Sequence, residues 1–78
     1  MKIHDLKIDP EYFNDVITGE KRFEVRKNDR DYKKGDLLNL QEYDREKKEY
    51  TGRKTLIPVR YILDNQEYLR EGYVILGL

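Results

Sequence analysis

The chain has 78 residues, no cysteine and a single histidine, which excludes disulfide bonds, thiolate zinc sites and multi-histidine metal sites. Its 16 basic and 16 acidic residues give a formal net charge of zero, which argues against binding nucleic acid through bulk charge alone. The length predicts one domain, residues 1–78, near the lower size limit for a single hydrophobic core.

The N-terminal third predicts a strand followed by a helix. The segment "HDLKI" has the period-two alternation of a short strand. A helix is predicted over Asp9–Ile17, with Asp9 capping its N-terminus and Pro10 in its first turn. Gly19 is expected to end it in the left-handed conformation.

Neither a signal peptide nor a membrane span is expected. The start, "MKIHDLKIDP", has charges where the apolar part of a signal peptide would lie. The longest apolar run, "YVILGL", is far too short to cross a bilayer. These features predict a cytoplasmic protein without a membrane partner.

The segment "KRFEVRK" alternates between apolar and charged residues, as a strand with two different faces does. Phe23 and Val25 are expected on the core face, and Arg22, Glu24 and Arg26 on the opposite face. The following "NDRDYKKGD" is composed of turn-forming residues and predicts a loop.

The second half predicts mainly strands. "DLLNLQEY" is a strand, "DREKKEYTG" a hairpin loop, "RKTLIPVRYIL" a long strand, "DNQEYLREG" a loop and "YVILGL" the last strand. Pro58, in the middle of the long strand, predicts an edge position or a bulge. The fold class is therefore mainly β (α+β), a small, partly closed β-barrel of about five or six strands with one N-terminal helix packed on it.

Positive charge is concentrated in one segment. From Lys21 to Lys34 there are seven basic and three acidic residues, so this segment carries +4 and the remainder −4. Such a local surplus is what a binding face for phosphate groups requires.

The segment "GEKRFEVR" matches the G-x-K-x-x-E-x-R signature of ASCH (activating signal cointegrator homology) domains through Gly19, Lys21, Glu24 and Arg26. The preceding "LKIDPEYFNDVITG" and the later "KKGD" and "GYVILGL" resemble the flanks of that signature in the same order. The chain looks closest to small ASCH-like domains of bacteria and phages. The resemblance implies a PUA-like β-barrel of the kind that binds RNA, with the signature lining a cleft beside the helix.

The chemistry of the signature suits a polar ligand. Gly19 allows a tight turn, Lys21 provides a mobile ammonium group, and Arg26 offers a planar fork for a phosphate or a carbonyl group. Glu24 can orient that fork or accept from an exocyclic amine of a base. We expect an RNA- or nucleotide-binding module without metal or cofactor, whose ligand-binding residues are Gly19, Lys21, Glu24, Arg26, Lys27 and Arg30.

Three alternatives stay open. Some ASCH proteins similar in length are acetylcytidine amidohydrolases, and the resemblance aligns Lys21 with their lysine but Glu24 with their threonine nucleophile, which a carboxylate cannot replace. Glu67 or Glu71 would supply the glutamate that these enzymes have nearer the C-terminus. A different hydrolysis of a modified nucleoside would use Glu24 as the base and Lys21 as the stabilising cation. A protein-interaction module, of unknown oligomeric state, is the second alternative. The third is a charged strand face whose exposed ion pairs have no ligand.

The remaining candidates are aromatic residues and the histidine. His4 has no nucleophile beside it in sequence, which predicts a structural or solvent-facing role. Three aromatic residues in strand segments are expected in the core: Phe23, Tyr61 and Tyr73. Three in or next to polar loops are candidates for stacking on bases: Tyr32, Tyr43 and Tyr50.

Overall fold

The computed structural model describes all 78 residues and contains six strands and one helix. The elements follow the chain as β1 (Ile3–Ile8), α1 (Pro10–Ile17), β2 (Phe23–Lys27), β3 (Leu37–Asp44), β4 (Glu49–Pro58), β5 (Tyr61–Leu63) and β6 (Tyr73–Gly77). The mainly β prediction with one N-terminal helix is confirmed. The helix has eight residues, too few to cross a membrane.

The strands form two three-stranded sheets. In the first, β3 lies between β1, which runs parallel to it, and β4, which runs antiparallel. In the second, β6 lies between β2 and β5, and all pairs are antiparallel. Both sheets and α1 contribute to one hydrophobic core, which consists of Leu6, Ile8, Phe13, Val16, Tyr32, Leu38, Leu40, Val59, Val74 and Leu76.

The ends of α1 follow the sequence signals, with one exception. Gly19 has φ +83°, so the predicted left-handed residue after the helix is confirmed. Asp9 has extended backbone angles at the N-cap position, but its side chain does not cap the helix. Its Oδ1 instead accepts a hydrogen bond of 2.6 Å from Nε of Arg45, so the predicted side-chain cap is wrong.

A buried carboxylate fixes α1 against the first sheet. Arg53 donates to both oxygens of Glu42, over 2.9 and 2.8 Å, and to Oδ1 of Asn14 on α1 over 2.9 Å. The guanidinium group of Arg53 also lies 4.7 Å from the ring centre of Phe13. These hydrogen bonds from Arg53 lower the pKa of Glu42, and they hold the helix that carries Tyr12 in place.

The predicted long strand is in fact two strands that belong to different sheets. Pro58 is the last residue of β4, an edge strand, which agrees with the predicted edge position. Val59 then donates to the carbonyl group of Asp36 and is buried, while Arg60 begins the pairing with the second sheet. The alternation of inward and exposed residues continues across Pro58 to Arg60. It ends where the chain enters the second sheet, and Tyr61 is 65% exposed rather than in the core.

The two faces of β2 are exchanged relative to the prediction. The alternation is present, but Phe23 and Val25 are 46% and 52% exposed, whereas Glu24 is only 4% exposed. Glu24 is in register with the fully buried Leu76 of β6. The expected placement of Phe23 in the core is therefore wrong. The expected solvated charged face is wrong as well, because Glu24 is buried and is neutralised by cations.

A third buried carboxylate, that of Asp36, links the N-terminal strand to the loop before β3. Asp36 accepts hydrogen bonds from the amides of Lys2 and Lys33, each 3.0 Å long, and its Oδ2 lies 2.8 Å from Nε2 of His4. The ring of Tyr32 packs 4.8 Å from the His4 ring, centre to centre. His4 is thus structural, and Tyr32 is buried, so its expected role in stacking on bases is wrong. Burial raises the pKa of Tyr32.

Asp36 predicts a pH-dependent stability. The hydrogen bond with His4 and those from the two amides lower the pKa of Asp36 to about 2 in the folded protein. The pKa in the unfolded chain is about 3.9, so the contribution to stability is complete above about pH 4 and is lost as the pH falls towards 2. We expect the melting temperature of the wild type to fall across this window.

The variant Asp36→Asn tests this contribution. It keeps the size of the side chain but cannot accept from three donors as a carboxylate does, so we expect a lower melting temperature at neutral pH. The difference from the wild type should shrink as the pH approaches 2. The matched control, Asp64→Asn, changes an exposed aspartate. Equal melting temperatures of wild type and Asp36→Asn at neutral pH would contradict the prediction.

Candidate functional site

A cleft of about 440 Å³ lies along β2 and reaches the end of β1 and the start of α1. This β2 cleft is lined by Lys7, Ile8, Asp9, Tyr12, Lys21, Phe23, Glu24, Val25, Arg26 and Arg45. Four of these side chains are cationic and two are carboxylates, so the lining carries a net charge of about +2 at neutral pH.

Glu24 is the centre of an ion-pair network in this cleft. One carboxylate oxygen accepts from Nζ of Lys21, and the other accepts from Nε and Nη2 of Arg26, over 3.1 and 2.8 Å. A carboxylate as buried as Glu24 requires such partners, since an unpaired buried charge is strongly destabilising. Glu24 therefore holds two cations in fixed positions.

The guanidinium group of Arg26 is anchored on one side and free on the other. Nη2 donates to the carbonyl oxygen of Lys7 over 2.7 Å, in addition to its bond with Glu24. Nε and Nη2 are thus used within the protein, whereas Nη1 has no hydrogen-bond partner in the chain. Its two N–H groups are available to a ligand, in an orientation set by Glu24.

Lys21 lies between two aromatic rings. Its Nζ donates to the carbonyl oxygen of Phe23 over 2.7 Å and lies 4.8 Å from the centre of the Phe23 ring. The Tyr12 ring is 5.6 Å away on the helix side, and about half of each aromatic residue is exposed. The cleft therefore combines a held ammonium group with accessible aromatic surface.

The backbone of β2 contributes a donor and an acceptor. The carbonyl group of Arg22 points towards the second sheet, where it accepts from the amide of Leu78 over 2.9 Å. Backbone groups of successive residues point to opposite edges of a strand, so those of Phe23 and Val25 point to the unpaired edge. The bond between Lys21 and the Phe23 carbonyl agrees with this. The N–H and C=O groups of Val25, a residue that lines the cleft, therefore have no strand partner.

Residues 3–78 match the family described as a domain of unknown function, DUF3850. The chain belongs to the DUF3850 family. It is also 41% identical over 75 residues to an uncharacterized 12.9 kDa protein in the GpA 3′ region of Escherichia phage P2. The alignment covers 96% of this chain and 66% of the phage protein, so the chain spans just under two thirds of that relative.

Three of the six ligand-binding residues expected from the sequence meet in the β2 cleft of this DUF3850 domain: Lys21, Glu24 and Arg26. The other three lie outside it. Gly19 lines a separate groove, and Lys27 is exposed at the end of β2. Nη1 of Arg30 donates to the carbonyl oxygen of Asp5 over 2.8 Å.

Sequence reasoning missed several lining residues because they come from distant segments. Lys7 reaches the cleft through the parallel pairing of β1 with β3, and Arg45 through its bond with Asp9. Tyr12 had a weak signal, as an aromatic residue on the polar side of an amphipathic helix. The free backbone groups of Val25 had no signal in the sequence, since strand order decides which edge of a sheet is unpaired.

Two of the predicted stacking residues adjoin the cleft through Lys7. Nζ of Lys7 lies 4.3 Å from the ring centre of Tyr43 and 5.9 Å from that of Tyr50. The two tyrosine rings pack edge to face with their centres 5.0 Å apart, and Tyr50 is about half exposed. Aromatic surface therefore continues beyond the cleft along the first sheet.

Both oxygens of Glu24 accept hydrogen bonds from cations, Oε2 from Lys21 and Oε1 twice from Arg26. These charged side chains fix one another in the cleft. No group of three or more histidine, aspartate or glutamate side chains is arranged to hold a metal ion.

Proposed function

We propose that this domain binds single-stranded RNA and reads a base in the β2 cleft. The observation that carries the proposal is that the cleft is lined both by Val25, whose backbone donor and acceptor have no strand partner, and by Arg26, whose Nη1 is free. An unstacked base presents donors and acceptors of this kind on its Watson–Crick and Hoogsteen edges. Because Arg26 is already oriented by Glu24, little conformational entropy is lost when the ligand binds.

The aromatic and charged lining supports the same ligand. Tyr12 and Phe23 provide half-exposed rings on which a base stacks, and Lys21 between them supplies a cation for a phosphate or a carbonyl oxygen. A peptide strand added to the free edge of β2 would use the Val25 backbone but would bring no phosphate group to Lys21 or to Nη1 of Arg26. An RNA strand would use both the backbone groups and the cations.

The resemblance to ASCH domains is part of this proposal. Six strands in two small sheets around one shared core are compatible with a PUA-like barrel in a cytoplasmic protein. In that family the signature lines a cleft beside the helix, and the β2 cleft has the corresponding neighbours, with Tyr12 of α1 and three residues of the signature.

A salt titration with RNA tests the proposal. The probe is a fluorescently labelled single-stranded RNA of mixed sequence, and anisotropy gives its affinity at several salt concentrations. We expect weak binding that falls with salt, with a slope of log K against log [salt] between about −1.4 and −2.8, for about two to four phosphate contacts. Undetectable binding at low salt, or an affinity independent of salt, would contradict the proposal.

A second measurement locates the site. On addition of the RNA, NMR amide signals of Val25 and its neighbours in β2 should shift more than those of exposed loop residues such as Asn65. Shifts confined to other segments would mean that RNA binds through scattered surface charge. The same titration with an RNA duplex should give smaller shifts at Val25, because paired bases do not present their edges.

A further inference from the structure

A second groove, of about 570 Å³, lies on the other side of Lys21. This Arg60 groove is lined by the cations Lys21, Arg22 and Arg60 and by apolar residues that include Val16, Ile57 and Pro58. No acidic side chain lines it, in contrast to the β2 cleft, where Asp9 and Glu24 balance half of the cationic groups.

The two arginines of this groove, Arg22 and Arg60, form no ion pair with a side chain of the protein. Nε of Arg22 donates to the carbonyl oxygen of Gly19 over 3.0 Å. This hydrogen bond anchors the guanidinium group and leaves its two terminal nitrogens free. The Arg60 side chain makes no hydrogen bond and is exposed.

Lys21 joins the two depressions, because it lines both. Its ammonium group is held by Glu24 and by the Phe23 carbonyl on the side of the β2 cleft. A ligand long enough to leave the cleft past Lys21 therefore meets Arg22 and Arg60 next. Two guanidinium groups that have no ion-pair partner favour an anion with several acceptor oxygens, which a phosphate group has.

We propose that the Arg60 groove is a phosphate subsite that holds the RNA backbone next to the nucleotide in the β2 cleft. This rests on the proposed function and adds that the ligand is a strand, not a free nucleoside. A contact of this kind carries no sequence information, so it contributes affinity uniformly across RNA sequences and increases the salt dependence.

The test variant is Arg60→Gln, and Arg70→Gln is the matched control. Arg70 is an exposed arginine in the loop before β6 and lines neither depression. We expect Arg60→Gln to reduce the steepness of the salt slope by about 0.7 and the affinity about eightfold at about 50 mM salt, equally for RNAs of different sequence. Arg70→Gln should match the wild type, and neither variant should change the melting temperature.

Titration with inorganic phosphate separates this inference from the function on which it rests. We expect phosphate to shift the side-chain Nε–H signals of Arg22 and Arg60 in the wild type, and the Arg22 signal less in Arg60→Gln. Such shifts without any RNA binding would keep the phosphate subsite and overturn the proposed function. Salt slopes identical in wild type and Arg60→Gln, or no phosphate shift at these arginines, would overturn the subsite whether or not RNA binds.

Discussion

Replacing Glu24 by glutamine should destabilise the protein by about 2 kcal/mol and weaken RNA binding at the same time. Glutamine fills the same volume, but its amide group has one acceptor oxygen where Lys21 and Arg26 need two. Its NH₂ group would face one of the cations as a donor. Both cations keep some contact with solvent, with 17% and 22% of their side chains exposed, so the expected loss is below that of a fully buried pair.

The free energy of unfolding of Glu24→Gln, measured in urea, checks this prediction. Glu71→Gln is the matched control, since it makes the same change at an exposed glutamate. It should lie within about 0.5 kcal/mol of the wild type. A Glu24→Gln variant as stable as this control would mean that the carboxylate does not hold the two cations. A stable variant with normal RNA affinity would in addition remove Glu24 from the site.

The second large effect is expected for Arg26→Lys, which keeps the charge. Nε and Nη2 of Arg26 donate to Glu24, Nη2 also donates to the carbonyl oxygen of Lys7, and Nη1 is left for the proposed ligand. A single ammonium group cannot satisfy all three at these positions. We expect RNA affinity to fall at least tenfold, about as much as in Arg26→Ala, because the loss of geometry outweighs the retained charge.

The salt dependence separates geometry from charge at this position. Arg26→Lys should keep the wild-type salt slope. If Arg26 also neutralises a phosphate, the slope of Arg26→Ala should be shallower by about 0.7. Arg70→Lys is the control for the same exchange outside the cleft. If Arg26→Lys binds RNA as the wild type does, Arg26 acts only as a positive charge, and base readout by its fork is excluded.

These two variants also distinguish a binding site from a charged strand face. On an exposed face, each ion pair would contribute little to stability, and Arg26→Lys would be nearly silent. The structure has Glu24 buried and two cations fixed around it, so both substitutions are expected to be measurable. The strand "KRFEVRK" therefore carries a buried carboxylate, Glu24, that is paired with two cations.

Local patterns in the sequence were sufficient for most of the elements, although they did not separate β4 from β5. The helix end at Gly19, the strand alternation around Val25 and the edge position of Pro58 all follow from neighbours in the chain. Backbone conformation at such points depends on the residue and its immediate surroundings, so it is visible without knowledge of the fold. The grouping of Lys21, Glu24 and Arg26 was visible for the same reason, since they lie within six positions of one another.

Only the tertiary structure decided which face of β2 turns inward and where the site's other partners come from. A period of two identifies the residues that share a face but does not say which face is buried. The apolar residues Phe23 and Val25 suggested that their face is buried. The face of Glu24 is buried instead, because Glu24 is neutralised by two cations and Arg26 donates to the carbonyl group of Lys7, 19 residues away. The free edge that exposes the Val25 backbone likewise depends on strand order, which is set by pairing between β2 and β6 across some 50 residues of chain.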